Sequence, residues 1–197
     1  MRLLAFTDTH SSLKSLNKIR KLAKKAKPDL MVCAGDISVF EEGLDQMLKS
    51  LNKIKMPLLI IDGNHESVSR MKKAARKYKN IIYLHKNTYK KDGFVFFGYG
   101  GGGFAQLNKE LEKEIKKHKD KLKKKKLVVI THAPPFNTKL DQVMKNSCGC
   151  KSIRKVIKKY KPELAVCGHL HENSRKQDYI KKTRVVNPGP DGKIIRI

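Results

Sequence analysis

Short apolar runs alternate along the first part of the chain with longer, lysine-rich segments. The apolar runs are LLAF, LMVCAG and LLIIDG, which begin at Leu3, Leu30 and Leu58. Runs of this length are typical of buried strands, whereas the segments between them carry apolar residues every three or four positions, as one face of a helix does. The pattern therefore predicts helices near residues 12–26, 41–53 and 67–79, and an α/β sheet with crossover helices.

The rest of the chain continues the alternation but adds a strand–turn–strand pattern. The run IIYLHKN is followed by TYKKDGFVFFGYG, which predicts an antiparallel pair or a second sheet. A helix is predicted over residues 105–126, because one helical stripe carries Leu107, Leu111, Ile115, His118 and Leu122. The remaining predicted elements are a strand in LVVITHAPP, a helix near residues 151–160, a strand in LAVCGHLH and two or three strands in DYIKKTRVVNPGPDGKIIRI.

Length and pattern favour one domain. A chain of 197 residues is long enough to bury most of the surface that its unfolded form exposes. We see neither an internal repeat nor a linker-like stretch in the sequence. We therefore predict a single domain over residues 1–197.

The charge of the chain is strongly positive. Lysine and arginine total 45 against 18 aspartate and glutamate residues, a net charge of +27. Such a field concentrates anions, whether phosphorylated metabolites, nucleic acid or acidic membrane. The alternative is a solvated lysine surface of the kind enriched in proteins from hot environments. The lysines recur through nearly every predicted helix, and the densest run, residues 123–126, is predicted to end a helix, where cations stabilise the helix dipole.

Two further features indicate location. The apolar run near the N-terminus is much shorter than the core of a secretory signal, and the sequence holds no stretch of 18 apolar residues. Cys33 and Cys167 lie in strand-like runs, where cysteine usually behaves as a small hydrophobic residue. We therefore expect a cytoplasmic protein in a reducing compartment, with no membrane partner.

Five apolar runs end in short polar groups, and these groups contain most of the candidate functional residues of the sequence. They are FTDTH, AGD, DGNHE, THAPP and CGHLH, and they contain five of the seven histidines. The carboxyl ends of parallel strands meet at one edge of a sheet, where ligands bind. We therefore expect the five groups to come together.

The residue types in these groups are those of metal ligands. Imidazole nitrogens together with carboxylate and amide oxygens suit Mn, Fe, Zn or Co. One ion needs three or four such ligands, whereas seven are available: Asp8, His10, Asp36, Asn64, His132, His169 and His171. That number favours two ions that share a bridging carboxylate, an arrangement suited to the hydrolysis of phosphoesters.

The order of these motifs resembles the calcineurin-like metallophosphoesterase family. The matching residues are Asp8-x-His10, Gly35-Asp36, Gly63-Asn64-His65-Glu66, His132 and Gly168-His169-x-His171, which run nearly from end to end. The resemblance implies a four-layer sandwich of two mixed β-sheets flanked by α-helices. It also implies that one metal is held by Asp8, His10, Asp36 and His171, and the other by Asp36, Asn64, His132 and His169. Mn²⁺ is the expected metal, with Fe, Zn, Co and Ni as alternatives.

The same resemblance implies catalytic roles. His65 would act as general acid or as donor to the phosphoryl group, with Asn64 neutralising charge. Glu66 would orient His65, unless it is only a favourable residue beside a helix start. A metal-bridging hydroxide would attack a phosphodiester or phosphomonoester of a small molecule or nucleotide. The alternatives are a nuclease or RNA-processing phosphodiesterase that uses the basic surface for nucleic acid, and a metal-retaining scaffold without turnover; the oligomeric state is left open.

Two weaker motifs complete the sequence. Gly98, Gly100 and Gly103 have the spacing of a dinucleotide fingerprint between a predicted strand and helix, but the next predicted strand ends in THAPP instead of an acidic residue. The glycines would otherwise form a mobile loop whose N–H groups touch phosphate, or a plain turn. Cys148-Gly-Cys150 would be a reactive or metal-binding pair, with an ordinary helix start as the favoured interpretation. The two histidines outside the polar groups, at positions 85 and 118, receive no role.

Overall fold

The computed structural model describes residues 1–122 and 126–197, and its elements alternate along the chain as predicted. The strands are β1 (Arg2–Phe6), β2 (Leu30–Cys33), β3 (Leu58–Ile60), β4 (Ile81–Tyr83), β5 (Asn87–Lys91), β6 (Phe94–Tyr99), β7 (Lys126–Thr131), β8 (Gln142–Val143), β9 (Asn146–Ser147), β10 (Leu164–Val166), β11 (Gln177–Ile180), β12 (Thr183–Val186) and β13 (Lys193–Arg196). The helices are α1 (Leu13–Ala26), α2 (Leu44–Asn52), α3 (Val68–Ala75), α4 (Lys109–Lys117), α5 (Lys119–Leu122) and α6 (Lys151–Tyr160).

The strands form two large sheets and one small hairpin. The first sheet has the order β13-β1-β2-β3-β4, with β1 to β4 parallel and β13 antiparallel to β1. The second has the order β11-β12-β10-β7-β6-β5, with a parallel centre and antiparallel strands at both edges. Strands β8 and β9 pair separately. Both large sheets are therefore mixed.

Alternate residues of each strand face different layers. In β1, Leu3 and Ala5 pack in a core between the two sheets, with residues such as Val128 of β7. Leu4 and Phe6 point the other way, into a core shared with the first three helices. A third core lies between the second sheet and the helices α4 to α6. Three cores separate four layers, so the expected four-layer sandwich is confirmed.

The helices agree with the prediction in position, although some are shorter. Helix α1 begins after Ser12, whose hydroxyl accepts a hydrogen bond from the Ser15 N–H. Helix α2 begins at Leu44 and not at residue 41, because Phe40 and Glu41 form a tight turn. Helix α3 ends at Ala75 and not at residue 79. Among the described residues, no helix is long and apolar enough to cross a bilayer.

The helix predicted over residues 105–126 is wrong at both ends. It begins only at Lys109, because the Asn108 side chain accepts a hydrogen bond from the Leu111 N–H, 2.9 Å away, and caps the helix there. It is interrupted at His118, and Leu107 is exposed instead of buried on the stripe. Lys126 already belongs to β7, and the lysines at 123–125 lie outside the described residues.

Candidate metal centre

The five polar groups of the sequence meet at one end of the molecule. Three of them follow β1, β2 and β3 of the first sheet, and two follow β7 and β10 of the second. The contacts cross between the sheets: His132 Nε2 lies 3.2 Å from Asp36 Oδ2, and the His169 N–H donates to the Asp8 carboxylate at 3.1 Å. The site therefore lies at the seam where the carboxyl ends of both sheets come together.

The side chains at this seam form overlapping groups of candidate metal ligands. Donor atoms lie within 4.8 Å of one another in three sets, which are Asp8, His10 and His171; His10, Asp36 and His65; and Asp36, His132 and His169. The Nε2 atoms of His10 and His171 are 3.0 Å apart, as are His132 Nε2 and Asn64 Oδ1. Metal–ligand bonds of about 2.1 Å place two donors of one ion roughly 3.0–3.4 Å apart. The observed separations match that geometry.

Hydrogen bonds set the tautomers of two candidate ligands. The Nδ1 atom of His132 donates to the Ala34 carbonyl at 2.8 Å, and Nδ1 of His10 donates to the Ser38 carbonyl at 3.3 Å. A carbonyl oxygen only accepts, so each Nδ1 carries a proton, and Nε2 is the nitrogen that would bind a metal once it is deprotonated. This arrangement is typical of metal-binding histidines.

His65 has the opposite tautomer. The Phe40 N–H donates to His65 Nδ1 at 3.2 Å, so Nδ1 is the acceptor and Nε2 carries the proton. That nitrogen lies 3.9 Å from Asp36 Oδ2. A protonated Nε2 is a hydrogen-bond donor and cannot coordinate a metal, which separates His65 from the histidines around it.

Glu66 does not make the contact expected of it. Its carboxylate is buried and accepts from the N–H groups of Asp36 (3.1 Å), Gly63 (3.0 Å) and Ser38 (2.8 Å), and from the Ser38 hydroxyl (2.7 Å). The expectation that it orients the His65 imidazole is therefore corrected, because both oxygens are occupied by donors of two loops. Glu66 joins the loop after β2 to the loop after β3 and so holds Asp36 in position.

The backbone at the site is strained. Four candidate ligands have positive φ angles, namely Asp8 (53°), His10 (43°), Asp36 (49°) and His169 (72°). Non-glycine residues in this region cost about 1–3 kcal/mol each and cluster at functional sites. Glycine is required where the loops touch: a Cβ atom at Gly63 would overlap the Asp36 carboxylate.

Burial and neighbouring charges shift the pKa values of three candidate ligands. Burial alone would raise the pKa of Asp36, but the hydrogen bond and charge of His132 outweigh it and lower the pKa to about 2. Burial alone would lower the pKa of His132, but Asp36 raises it to about 9. Burial, together with the charge of His132, lowers the pKa of His169 to about 4. His169 is therefore a neutral imidazole at pH 7, as a metal ligand must be.

One buried atom indicates directly that these residues fit a metal. Nε2 of His169 is buried and has no hydrogen-bond partner among the residues that the structure describes. A buried polar atom left without a partner costs about 1–3 kcal/mol. A metal ion bound between His169, His132 and Asp36 would supply that partner, so the donor set fits the group that the sequence implies.

The sequence missed a partly buried cluster beside the site. The Tyr83 hydroxyl donates to Asp62 Oδ1 at 2.6 Å, and the Gly101 N–H donates to the Asp62 carbonyl at 3.0 Å. The Gly100 N–H donates to His85 Nδ1 at 2.9 Å, although the sequence assigns His85 no role. These contacts fix the glycine loop next to the candidate metal ligands, and no periodicity in the sequence signals them.

The structure distinguishes between the alternative interpretations of the glycine motif and of Cys148-Gly-Cys150. Helix α4 starts six residues after Gly103, so the glycines do not open a helix as the dinucleotide fingerprint requires. A Cβ atom at Gly103 would lie 3.8 Å from His169 Cε1, which places the loop over the candidate ligands. All four cysteines are free, and Cys150 precedes the first turn of α6, where burial raises the pKa of its thiol. The ordinary helix start is therefore the better interpretation of Cys148-Gly-Cys150.

Comparison with known proteins identifies the family. The model of the calcineurin-like phosphoesterases matches residues 1–173, and the chain belongs to this family. It is 31% identical to the uncharacterized protein MJ1162 of Methanocaldococcus jannaschii, over 96% of this chain and 88% of that protein. It is 26% identical to a probable glycerophosphodiester phosphodiesterase of Arcobacter nitrofigilis, over 76% of this chain and 59% of that protein. The structure of TT1561 from Thermus thermophilus superposes with a TM-score of 0.79 at 16% identity, covering 96% and 90% of the two chains.

These matches confirm the family and the fold that the motifs implied. The two mixed sheets with flanking helices are the architecture of the structural neighbours. Membership supports a hydrolase of phosphoric esters, and the family depends on metals. The candidate ligand sets are where this chain would hold them.

Proposed function

We propose that the chain is a phosphodiesterase with a dinuclear metal centre. The observation that carries the proposal is Asp36, whose carboxylate lies within 4.8 Å of donor atoms in two sets, one with His10 and His65, of which only His10 is a proposed ligand, and one with His132 and His169. A carboxylate shared in this way can bridge two ions. One ion would be held by Asp8, His10, Asp36 and His171, and the other by Asp36, Asn64, His132 and His169.

Mn²⁺ is the metal we propose, because neutral imidazoles with carboxylate and amide oxygens suit it. When bound, two such ions lower the pKa of a bound water and neutralise charge on the phosphoryl oxygens. The protein must hold its ligands in the deprotonated form. The low pKa values of Asp36 and His169 meet that requirement at neutral pH, whereas His132, whose pKa is raised to about 9, would have to release a proton when metal binds.

We propose that His65 donates a hydrogen bond to a phosphoryl or leaving oxygen. A neutral imidazole that gave up its Nε2 proton would become an imidazolate, and a second proton at Nδ1 would face the Phe40 N–H. Of the two roles implied by the family resemblance, donation without proton transfer therefore fits this hydrogen bond better. Asn64 directs Oδ1 towards His132 and leaves its amide N–H groups as further donors for the substrate.

Diesters are the proposed substrate class. The relative from Arcobacter nitrofigilis, which is 26% identical, is named as a probable glycerophosphodiester phosphodiesterase. The test is hydrolysis, with Mn²⁺, of an aryl phosphate monoester, an aryl diester, a cyclic nucleotide, a glycerol phosphodiester and a short RNA. We expect the diesters to be hydrolysed faster than the monoester. Hydrolysis of none of them would refute the proposed function.

The net charge of +27 favours a second candidate, a nuclease or RNA-processing phosphodiesterase that binds nucleic acid through its basic surface. Binding through lysine–phosphate contacts weakens steeply as salt rises. The same substrate panel at about 50 and 200 mM salt separates the two candidates. A steep salt dependence for RNA, but not for the small diesters, would favour the nuclease.

A further inference from the structure

A tight turn next to His65 has an unusual sequence. Val39 and Glu42 exchange two backbone hydrogen bonds, and the residues between them, Phe40 and Glu41, have φ angles of 46° and 72°. Positive φ at both central positions defines a type I′ turn, which strongly favours Asn and Gly there. Phenylalanine and glutamate are poor residues for this conformation. The turn therefore holds Phe40 in place against its backbone preference.

Side chains from three neighbouring segments anchor the turn. The Glu41 carboxylate accepts from the Ser67 N–H at 2.9 Å and from the Ser67 hydroxyl at 2.5 Å. The Ser11 hydroxyl donates to the Glu42 carbonyl at 2.7 Å. The Phe40 N–H donates to His65, as described above. These contacts fix the turn to the loop after β1, to the start of α3 and to the proposed donor.

The strained residue does not serve the core. The Phe40 side chain is 73% exposed, and its ring lies 4.4 Å from the His65 ring, centroid to centroid. A second exposed ring, Phe104 at 63%, lies 4.5 Å from the ring of His169. Each of these histidines has a ring nitrogen within 4.8 Å of the Asp36 carboxylate. Two solvent-exposed phenyl rings therefore border the metal centre on different histidines.

Exposed rings at such a place suit one kind of ligand. The face of an aromatic side chain stacks on a planar base, and this contact tolerates any base because each has a π-face. The positive charge of the chain attracts phosphate but provides no contact for a ring. A substrate with both features is a phosphodiester that carries a nucleobase. A glycerol diester offers nothing for the two rings to bind.

We propose that Phe40, together with Phe104, binds the nucleobase of a nucleoside phosphodiester and so determines substrate specificity. The proposal rests on the proposed function, since it names the substrate class of the same site. The shared chemistry is a base attached to a phosphodiester, and its source is either a small cyclic nucleotide or a single-stranded oligonucleotide. The backbone strain in the turn is then a consequence of holding the Phe40 ring beside His65.

The test variant is Phe40→Asn. Asparagine suits the turn and retains the N–H that donates to His65, but it removes the ring. We expect the ratio of kcat/KM for a 2′,3′-cyclic nucleotide to that for a glycerol phosphodiester to fall about tenfold, through KM, as expected for the loss of one stacked base. The Tm should be no lower than that of the wild type, because the strain is relieved. Phe104→Leu should lower the same ratio.

The control is Tyr179→Asn, which removes an exposed ring from the edge strand β11 and should leave the ratio unchanged. An unchanged ratio in Phe40→Asn would overturn the proposal. If the ratio stays unchanged because kcat/KM falls equally for both substrates, Phe40 acts only through His65. A short single-stranded oligonucleotide in the same assay distinguishes the sources, since a larger Phe40 effect on it than on the cyclic nucleotide favours nucleic acid.

A binding measurement keeps this proposal separate from the proposed function. With Mn²⁺ present, calorimetry compares a nucleoside monophosphate with inorganic phosphate. We expect the wild type to bind the nucleotide about tenfold more tightly and Phe40→Asn to lose that preference. If the wild type hydrolyses no ester but shows this preference, the proposed function fails and the base site stands. If the wild type hydrolyses diesters but binds the nucleotide and inorganic phosphate equally, the proposed function stands and the proposed base site fails.

Discussion

Glu66 provides the sharpest test of how the site is held together. It accepts four hydrogen bonds, two at each carboxylate oxygen: from Asp36 and Gly63 at Oε2, and from the N–H and hydroxyl of Ser38 at Oε1. Replacing Glu66 by glutamine preserves the shape but converts one oxygen into an NH₂ group. The less costly orientation turns that group towards Ser38, whose hydroxyl can accept a hydrogen bond. The Ser38 N–H would then face another donor.

The expected loss of stability follows from the number of hydrogen bonds that Glu66→Gln changes. One hydrogen bond to a charged acceptor is lost, which costs about 1.5–3 kcal/mol, and the two at Oε2 fall to the strength of neutral hydrogen bonds. We expect the free energy of unfolding of the metal-free protein to fall by about 3 kcal/mol. For a chain of this size the Tm should fall by roughly 6–12 °C. The affinity for Mn²⁺ should fall as well, because the loop that carries Asp36 loses its support.

Urea unfolding of the metal-free protein measures the stability, and calorimetry measures Mn²⁺ binding. The matched control is Glu163→Gln, which makes the same chemical change at an exposed position and should leave both unchanged. A loss of turnover in Glu66→Gln with stability and metal affinity equal to those of the control would contradict the reasoning. That result would return Glu66 to the role of orienting His65.

Three further predictions concern the ligands and the proposed donor. Asp36→Ala should abolish binding of both metal ions and all activity. The control Asp45→Asn, at an exposed ion pair, should retain the metal ions and the activity. Elemental analysis measures the metal content of each variant, and one ion remaining in Asp36→Ala would refute the role of Asp36 as a bridge. His65→Ala should bind the same number of ions while kcat falls by roughly 10²–10³-fold, as for the loss of one hydrogen-bond donor to developing charge, and a loss of metal would mean that His65 is a ligand. The pair of Asp36 and His132 should make the stability of the metal-free protein depend on pH at both ends. The pKa of Asp36 is lowered, so its contribution is lost as pH falls from about 4 to about 2, and the pKa of His132 is raised, so its contribution is lost as pH rises from about 6.5 to about 9. The difference in Tm between wild type and His132→Gln, followed from about pH 2 to 10, checks both limits, and a constant difference across that range would refute the assignment.

The order of strands, helices and polar groups could be predicted from the sequence, because these depend on short-range patterns. Apolar runs such as Leu30–Cys33 specify buried strands wherever they lie in the fold. The ligand types were visible for the same reason, since Asp8, Asp36 and His132 each follow such a run directly. Motif order then indicated the family. The helix predicted over 105–126 is wrong at its start because an apolar stripe does not reveal that the N-cap Asn108 delays the first helical residue to Lys109.

The tertiary structure decided the roles within the site. Whether the five strand ends belong to one sheet or two depends on pairing between distant segments, which periodicity does not encode. The tautomer of His65 depends on a backbone N–H 25 residues away, and the contacts of Glu66 depend on Ser38, 28 residues away. Phe40 had no sequence signal, because its importance lies in a strained φ angle and an exposed ring. Hydrogen bonds and backbone strain of this kind exist only in the folded protein, because they depend on contacts between segments that are distant in the sequence.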